Sequence, residues 1–497
     1  MLFGLIVSPN KKLSLVRKVF SFPAMLTVLL MTVVWILASR KLNDPDIWWH
    51  LRNAEYLFQT HHLPNHDMYS FTVSGQPWMN HEWLAEIPFY LAWRMNGLAG
   101  ITLLWVALVE LIFLGLLYLS YRASGNIKAS ILACGFCGFL AVVSFGPRTI
   151  LFGYVYMVLL LIILERFRSS GRGPIWLLPL LFCVWVNTHG SWLIGLIVLG
   201  IVAAAGLVEG RWGRIESSRW TPSQLKKLII VGSASMAALF INPFGWRLPA
   251  YPFEFASKQK LNVAHIAEWV SVDFHNGRGK VVLILLISLL LLALLRNRPW
   301  ALADVGLLLF AFYCGLTYIR FLFLLAIVAA PLLAKLVDSI PPYDPNIDKP
   351  ILNMIFMAGL LLWVLYSFPP ASAPALEGQV AEKYPAGVLP YLRSHPPNGP
   401  LLNDYLWGGY LIWHDRDLKV FVDSRVDIFE YAGVFADYID LLGLKNPQQI
   451  LDKYRIRYVL FPPDEQLTYV LEHDPKWKVN YRDQVSVLFE RTAPAPE

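Results

Sequence analysis

The sequence is short of charge. Of its 497 residues only 15% are Asp, Glu, Lys or Arg, against 56% hydrophobic, and the mean hydropathy is +0.48. Soluble domains carry about a quarter charged residues, so a polytopic membrane protein is implied instead. Cysteine is scarce as well. Cys134, Cys137, Cys183 and Cys314 all lie inside apolar segments, and no disulfide framework is implied. Cys134 and Cys137 have the spacing of a redox pair, but inside 129-ASILACGFCGFLAVVSF-145 they read as small residues on one helix face. A glycine-rich phosphate loop of the Walker or Rossmann type is missing, and there is no internal repeat. The net charge of +7 comes from short Lys/Arg clusters between apolar runs, which reflects topology and not a nucleic-acid face.

What is plentiful is apolar length and aromatic rings. Nineteen Trp and 22 Tyr are many for the length, and several fall at the ends of apolar runs, where such rings favour the membrane interface. A hydrocarbon core of roughly 30 Å needs ~20 apolar residues in a helix, fewer where neighbours bury the ends. About eleven spans are predicted, near 22–39, 101–121, 129–145, 149–165, 175–187, 190–207, 226–242, 281–296, 300–316, 320–337 and 351–368. The first follows Lys11, Lys12, Arg17 and Lys18, has no clear cleavage site and reads as a retained anchor. Basic residues collect in alternate loops, 121–128, 165–174, 209–227 and 296–300, which places these loops and the N-terminus in the cytoplasm. The outer side receives loops 40–98 and 243–279. An odd number of spans also sends the C-terminal part outward. Residues 1–368 then form the membrane domain, the Pro- and Ala-rich 369–380 a linker, and 381–497 a small extracytoplasmic α/β domain. Within it 410–414, 419–424, 456–461 and 484–490 read as strands, and 434–444 and 447–456 as helices. The segment 83–95 is too short and polar for a span and suits an interfacial or re-entrant helix.

Ionisable groups are costly near a bilayer, so their distribution informs on function. Nearly all the unusual ones fall on the outer side. Asp44 and Asp46, two apart around Pro45, cannot point the same way in an extended segment. One is expected to cap the helix predicted over 47–58 and the other to face a cavity, where burial would raise its pKa and suit it to general-base work. His50, Arg52, His81 and Glu82 follow on the same loop; Glu82 is equally readable as a helix-starting acid. Arg148, Arg320 and His189 lie where spans meet the outer face, and two guanidinium forks there suit a phosphate at the interface. The histidines at 61, 62 and 66 have no second ligand cluster, so no metal or other cofactor is assigned. In the tail, Asp423 and Arg425 read as an ion pair, whereas Trp407 and Tyr410 could stack on a sugar ring of the acceptor.

An anchor span followed by 44-DPDIWWHL-51, then 76-QPWMNHEWL-84, resembles the GT-C glycosyltransferases of the dolichyl-phosphate-mannose-dependent and aminoarabinose-transferase type. The similarity is greatest to bacterial membrane proteins of that superfamily that share DPD-x-WWH. They also share 187-NTHG-190, 242-NPFG-245 with Glu268-Trp269, Arg320, and a tail like 403-NDYLWGGYLIWH-414 and 421-FVDSRVDIF-429. The resemblance implies a multi-pass protein of the bacterial inner membrane. It would transfer a sugar from a polyprenyl-phosphate donor, inverting at the anomeric carbon, to an extracytoplasmic glycan, lipid or protein acceptor. The catalytic Asp of those families matches Asp46 first and Asp44 next, although their usual Asp-Glu pair is broken here by Ile47. Glu268 joins the substrate-binding candidates on the same ground. Two readings of other classes stand beside it: a transporter or flippase of lipid-linked glycans, which would need ionisable residues in mid-membrane, where Glu110 and Asp304 are the main ones, and a non-catalytic envelope scaffold.

Overall fold

The computed structural model describes residues 15–39, 42, 44–171, 173–337, 339–367 and 373–492. Lys11, Lys12 and the first part of the expected linker lie outside these residues.

Each of the eleven expected spans is helical. Five helices are long and apolar enough to cross a membrane alone: Trp83–Ser124, Ile127–Ser144, Ile150–Ser170, Gly277–Leu295 and Ile319–Leu336. Phe22–Ala38, Ile175–Thr188, Trp192–Ala205, Leu302–Thr317 and Pro350–Tyr366 are shorter apolar helices, and Pro222–Ala238 occupies the remaining position. Their ends carry the expected stop and start chemistry. Ser21 and Asn126 accept backbone N–H groups at helix N-termini, Thr221 and Gln224 form a reciprocal box, and Gly125 and Gly171 end helices with positive φ. The bundle is organised around Leu322–Leu336, in which nearly every residue except Pro331 and Lys335 is buried. Ala326, Ala329, Ala330 and Ala334 let neighbouring backbones approach it closely. Leu283, Ile287, Leu290 and Leu294 on the Gly277–Leu295 helix are exposed.

Residues 83–95 begin a helix that continues to Ser124 but breaks at Asn96 and Gly97, where Gly97 has φ 51°. Residues 373–380, expected as linker, lie in the helix Ala373–Ala381, with Leu376 and Val380 buried in the same core as the membrane helices. The tail holds a four-stranded sheet. Leu401–Asn403 pairs in parallel with Tyr458–Phe461, which pairs antiparallel with Val487–Arg491, and that in turn with Trp477–Arg482. Helices Val434–Leu442 and Pro447–Lys453 pack on it.

Two strand expectations are corrected. Residues 410–414 belong to a helix, Tyr405–His414, capped by Asp404, whose carboxylate accepts the Leu406 N–H at 2.9 Å. Tyr410, Leu411 and Ile412 are buried in succession, and so short a run carries no period that separates helix from strand. Its glycines serve close backbone approach: a Cβ at Gly409 would sit 2.8 Å from the Pro45 carbonyl oxygen. Residues 419–424 run extended but join the outer loop instead of the sheet, with Val420 bridging to Ser70 through Phe71 N to Val420 O and Val420 N to Tyr69 O, both 3.1 Å. Trp49, Val73 and Trp78 of the outer loop share a core with Phe421, Phe429 and Phe435 of the tail. The Trp pair is therefore no interfacial belt. Trp48 packs edge-on against Tyr384 and Tyr410, at 5.5 and 5.1 Å between ring centroids.

Candidate active site

The turn into the Asp46–Thr60 helix separates the roles of its two acids. Asp44 Oδ1 accepts the Asp46 backbone N–H at 3.0 Å, the first of the helix, whose N-cap position is held by Pro45. Its Oδ2 accepts Arg148 Nε at 2.6 Å, and the other end of that guanidinium pairs with Glu268. Asp46 begins the helix and stays partly accessible. Its Oδ1 accepts Trp49 Nε1 at 3.3 Å, and the same indole donates to Ser424 Oγ at 3.1 Å. Burial and then the neighbouring Asp44 carboxylate push Asp46 up to about 6.

One turn later, His50 Nδ1 lies 3.0 Å from Glu86 and Nε2 lies 3.5 Å from Glu82. Burial alone would lower this imidazole, but the two carboxylates outweigh it and the pKa is raised. Glu86 also receives Asn53 Nδ2 at 3.0 Å and Asn80 Nδ2 at 2.8 Å. Glu82, raised by burial, meets His189 Nε2 at 3.4 Å and His81 Nε2 at 3.8 Å. Burial, with Arg320 nearby, holds His189 well below the usual range and hence neutral. Its Nδ1 accepts the Ser191 N–H at 3.0 Å, which puts the ring proton on Nε2, toward Glu82.

Arg320 completes the ring. Its guanidinium stacks 4.2 Å over Trp269, its Nε has no partner among the described residues, and its backbone carbonyl accepts the Tyr154 hydroxyl at 2.9 Å. The fork is thus held over Trp269 with its Nε unpartnered among the described residues. The tail closes one side. His81 stacks on Tyr251 at 4.3 Å, and the Tyr251 hydroxyl donates to Asp427 at 3.1 Å. The Glu430 carboxylate accepts the N–H groups of Leu261 and Asn262 at 2.7 and 2.8 Å.

Nine of the predicted residues, Asp44, Asp46, His50, His81, Glu82, Arg148, His189, Glu268 and Arg320, come together here. Five do not. Arg52 points elsewhere, its Nη1 2.5 Å from Glu55, which also binds Arg416 at 2.6 Å. It stands two residues from His50 on a helix, hence on a different face. Trp407 and Tyr410 are buried: Trp407 Nε1 donates to the Lys383 carbonyl, and Tyr410 stacks on Tyr384, so neither offers a face to a sugar. Asp423 and Arg425 form the expected ion pair at 2.6 Å, off any strand, and Arg425 also grips Asp67 at 2.7 Å. Residues not anticipated from sequence are Trp49, Asn53, Asn80, Glu86, Tyr251, Ser424 and Asp427. Glu86 was legible in principle, lying one helical turn after Glu82. Ser424 and Asp427 arrive through tertiary packing and had no local signal. Among the described residues no group of His, Cys, Asp and Glu is arranged to hold a metal ion.

No protein-family model and no curated protein matches the sequence. Solved structures do share the fold. ArnT from Cupriavidus metallidurans, bound to undecaprenyl phosphate, aligns at TM-score 0.53 and 14% identity over 95% of this chain and 99% of its own. The Archaeoglobus fulgidus oligosaccharyltransferase, tethered with an acceptor peptide containing the NVT sequon, aligns at 0.53 and 12% over 89% and 70%. The archaeal oligosaccharyltransferase AglB from the same organism, with an inhibitory peptide and a dolichol-phosphate, aligns at 0.51 and 12% over 88% and 69%. The chain shares the fold of these structures, with a small sheet-containing C-terminal part.

Proposed function

We propose that this chain is a membrane glycosyltransferase of the bacterial inner membrane. It moves a sugar from a polyprenyl-phosphate donor to a glycan, lipid or protein acceptor on the extracytoplasmic face, with inversion at the anomeric carbon. The observation that carries the reading is the convergence of Asp46 with the guanidinium groups of Arg148 and Arg320 at one end of an apolar helix bundle. A polyprenyl phosphate keeps its chain in the hydrocarbon and its phosphate at the interface. Arg320, with an unpartnered Nε over Trp269, suits that phosphate. Support of a coarser kind comes from ArnT and AglB, which share the fold and were solved with undecaprenyl phosphate and dolichol-phosphate.

The chemistry is a single displacement. Asp46, ionised at neutral pH but more basic than an ordinary carboxylate, takes the proton of an acceptor hydroxyl. The oxygen attacks the anomeric carbon, the bond from that carbon to the phosphate oxygen breaks, and its electron pair leaves on the lipid phosphate. Arg320 and Arg148 stabilise the charge that develops there. His50 balances Glu82 and Glu86 and holds this wall of the site in place.

The flippase alternative needs ionisable groups in mid-span. Asp304 instead sits in the first turn of its helix, paired with Arg168 at 3.1 Å, which leaves Glu110. Incubation of the reconstituted protein with a synthetic polyprenyl-phosphate sugar and envelope acceptors tests the proposal. The expected product carries the sugar with inverted anomeric configuration by NMR; a retained configuration, or sugar translocated without transfer, contradicts it.

A further inference from the structure

The far end of the bundle holds a second polar site. The Ile150–Ser170 helix starts just after Arg148 and has 21 residues. At 1.5 Å per residue its ends are about 30 Å apart, so its last turn reaches the opposite membrane boundary. There a cavity of about 290 Å³ opens between the helices, with an apolar wall that includes Leu161, Val202, Leu307 and Ile327. Its rim carries three cations, Arg122, Arg168 and Lys335, and two acids, Glu165 and Asp304. Arg122 pairs with Glu165 Oε1 at 3.2 Å and Arg168 with Asp304 at 3.1 Å. Lys335 Nζ donates to the Pro299 carbonyl at 2.7 Å, which engages one of its three N–H groups.

The pairing leaves a remainder. Glu165 Oε2 is buried and has no hydrogen-bond partner among the described residues. A carboxylate oxygen held out of water without a donor is costly, and a ligand cation beside it removes that cost. Cations for a phosphate, a bare carboxylate oxygen for an ammonium and an apolar wall for an acyl chain stand side by side. We propose that this cavity binds phosphatidylethanolamine, with the ammonium on Glu165 and the phosphate on Lys335 and Arg168. At roughly 30 Å³ per water the volume holds on the order of ten water-sized groups, about the heavy-atom count of a phosphoethanolamine head group. A choline head group has no N–H to give Glu165. An anionic head group without an amine can meet Lys335 and Arg168 with its phosphate but brings no cation to the bare Glu165 oxygen. The site is independent of the transferase reading.

Native mass spectrometry of the full chain, released from micelles titrated with defined lipids, tests this. The wild type is expected to retain phosphatidylethanolamine about tenfold over phosphatidylcholine, the value of one hydrogen bond to a charged group. Glu165→Gln should abolish that preference with phosphatidylcholine binding unchanged. Lys335→Gln should weaken both lipids and keep the preference. Equal retention of the two lipids by the wild type, which needs no variant to measure, overturns the proposal. So does tighter binding of phosphatidylglycerol than of phosphatidylethanolamine, or a preference that survives in Glu165→Gln.

Discussion

Arg425→Gln is expected to loosen the tail from the outer loop. The Arg425 side chain is 1% exposed and binds Asp423 and Asp67, each 0% exposed. It lies between the rings of Tyr69 and Trp78, at 5.0 and 4.9 Å. Glutamine keeps much of the packing but removes the charge and the fork, leaving two carboxylates buried near one another. Removing one partner of a buried ion pair costs about 3–5 kcal/mol. Asp67 keeps bonds from Ser70 N and Oγ at 2.9 and 2.7 Å, and Asp423 keeps the Arg425 backbone N–H at 2.9 Å. These hold the loss near the lower end, about 3 kcal/mol. At about 2–4 °C per kcal/mol that lowers the Tm by roughly 6–12 °C. Intrinsic fluorescence during thermal unfolding in micelles reads the shift, and limited trypsin digestion reads release of the tail. A Tm within about 2 °C of wild type at pH 7, or a tail no more open to trypsin than in wild type, would refute this account of how tail and loop are joined.

Other expectations concern the site and its supports. Transfer rate should climb about tenfold per pH unit up to about pH 6 and then level, because Asp46 must be ionised and burial, then Asp44, raise it to about 6. Asp44→Asn removes a like charge, so the acid limb of kcat/KM should move to lower pH; a limb that stays put contradicts the assignment. Gly408→Ala would drive a Cβ into the Val422 carbonyl and should cost about 1–3 kcal/mol in thermal unfolding, whereas Gly359→Ala, with nothing within 4 Å, should cost little. Arg320→Lys keeps the charge and loses the planar fork, and kcat with a polyprenyl-phosphate sugar should fall roughly tenfold or more.

The helices were legible because bilayer thickness imposes a length and lipid imposes an apolar surface, so runs such as 149–165 announce themselves. The tail was only half legible. Val434–Leu442 shows a helical period, but 410–414, with Tyr410, Leu411 and Ile412 buried in succession, carries none. Gly408 and Gly409 look like turn residues because the sequence does not display the Val422 and Pro45 backbones that crowd them. At the site, Asp46, Glu82, Arg148 and Arg320 stood out because charge at a span end is costly and therefore selective of attention. Asn53, Asn80 and Ser424 are ordinary loop or helix residues until folding brings them to Glu86 and Trp49. Trp407 misled for the opposite reason: an aromatic ring beside a glycine pair looks like a sugar platform, yet burial claims it.

The most direct measurement is transfer by Asp46→Asn, made together with its thermal stability. A lost general base should lower the rate by about 10²–10⁴. Folding raises the Asp46 pKa from its ordinary 3.8 to about 6, so the carboxylate costs stability that grows as pH rises through that window and is complete by pH 7. At about 1.4 kcal/mol per pH unit, the neutral amide should then stabilise the protein by up to about 3 kcal/mol at pH 7. An inactive variant that unfolds at a higher temperature than wild type is the predicted result. A folded Asp46→Asn protein that transfers sugar at the wild-type rate would contradict the central claim.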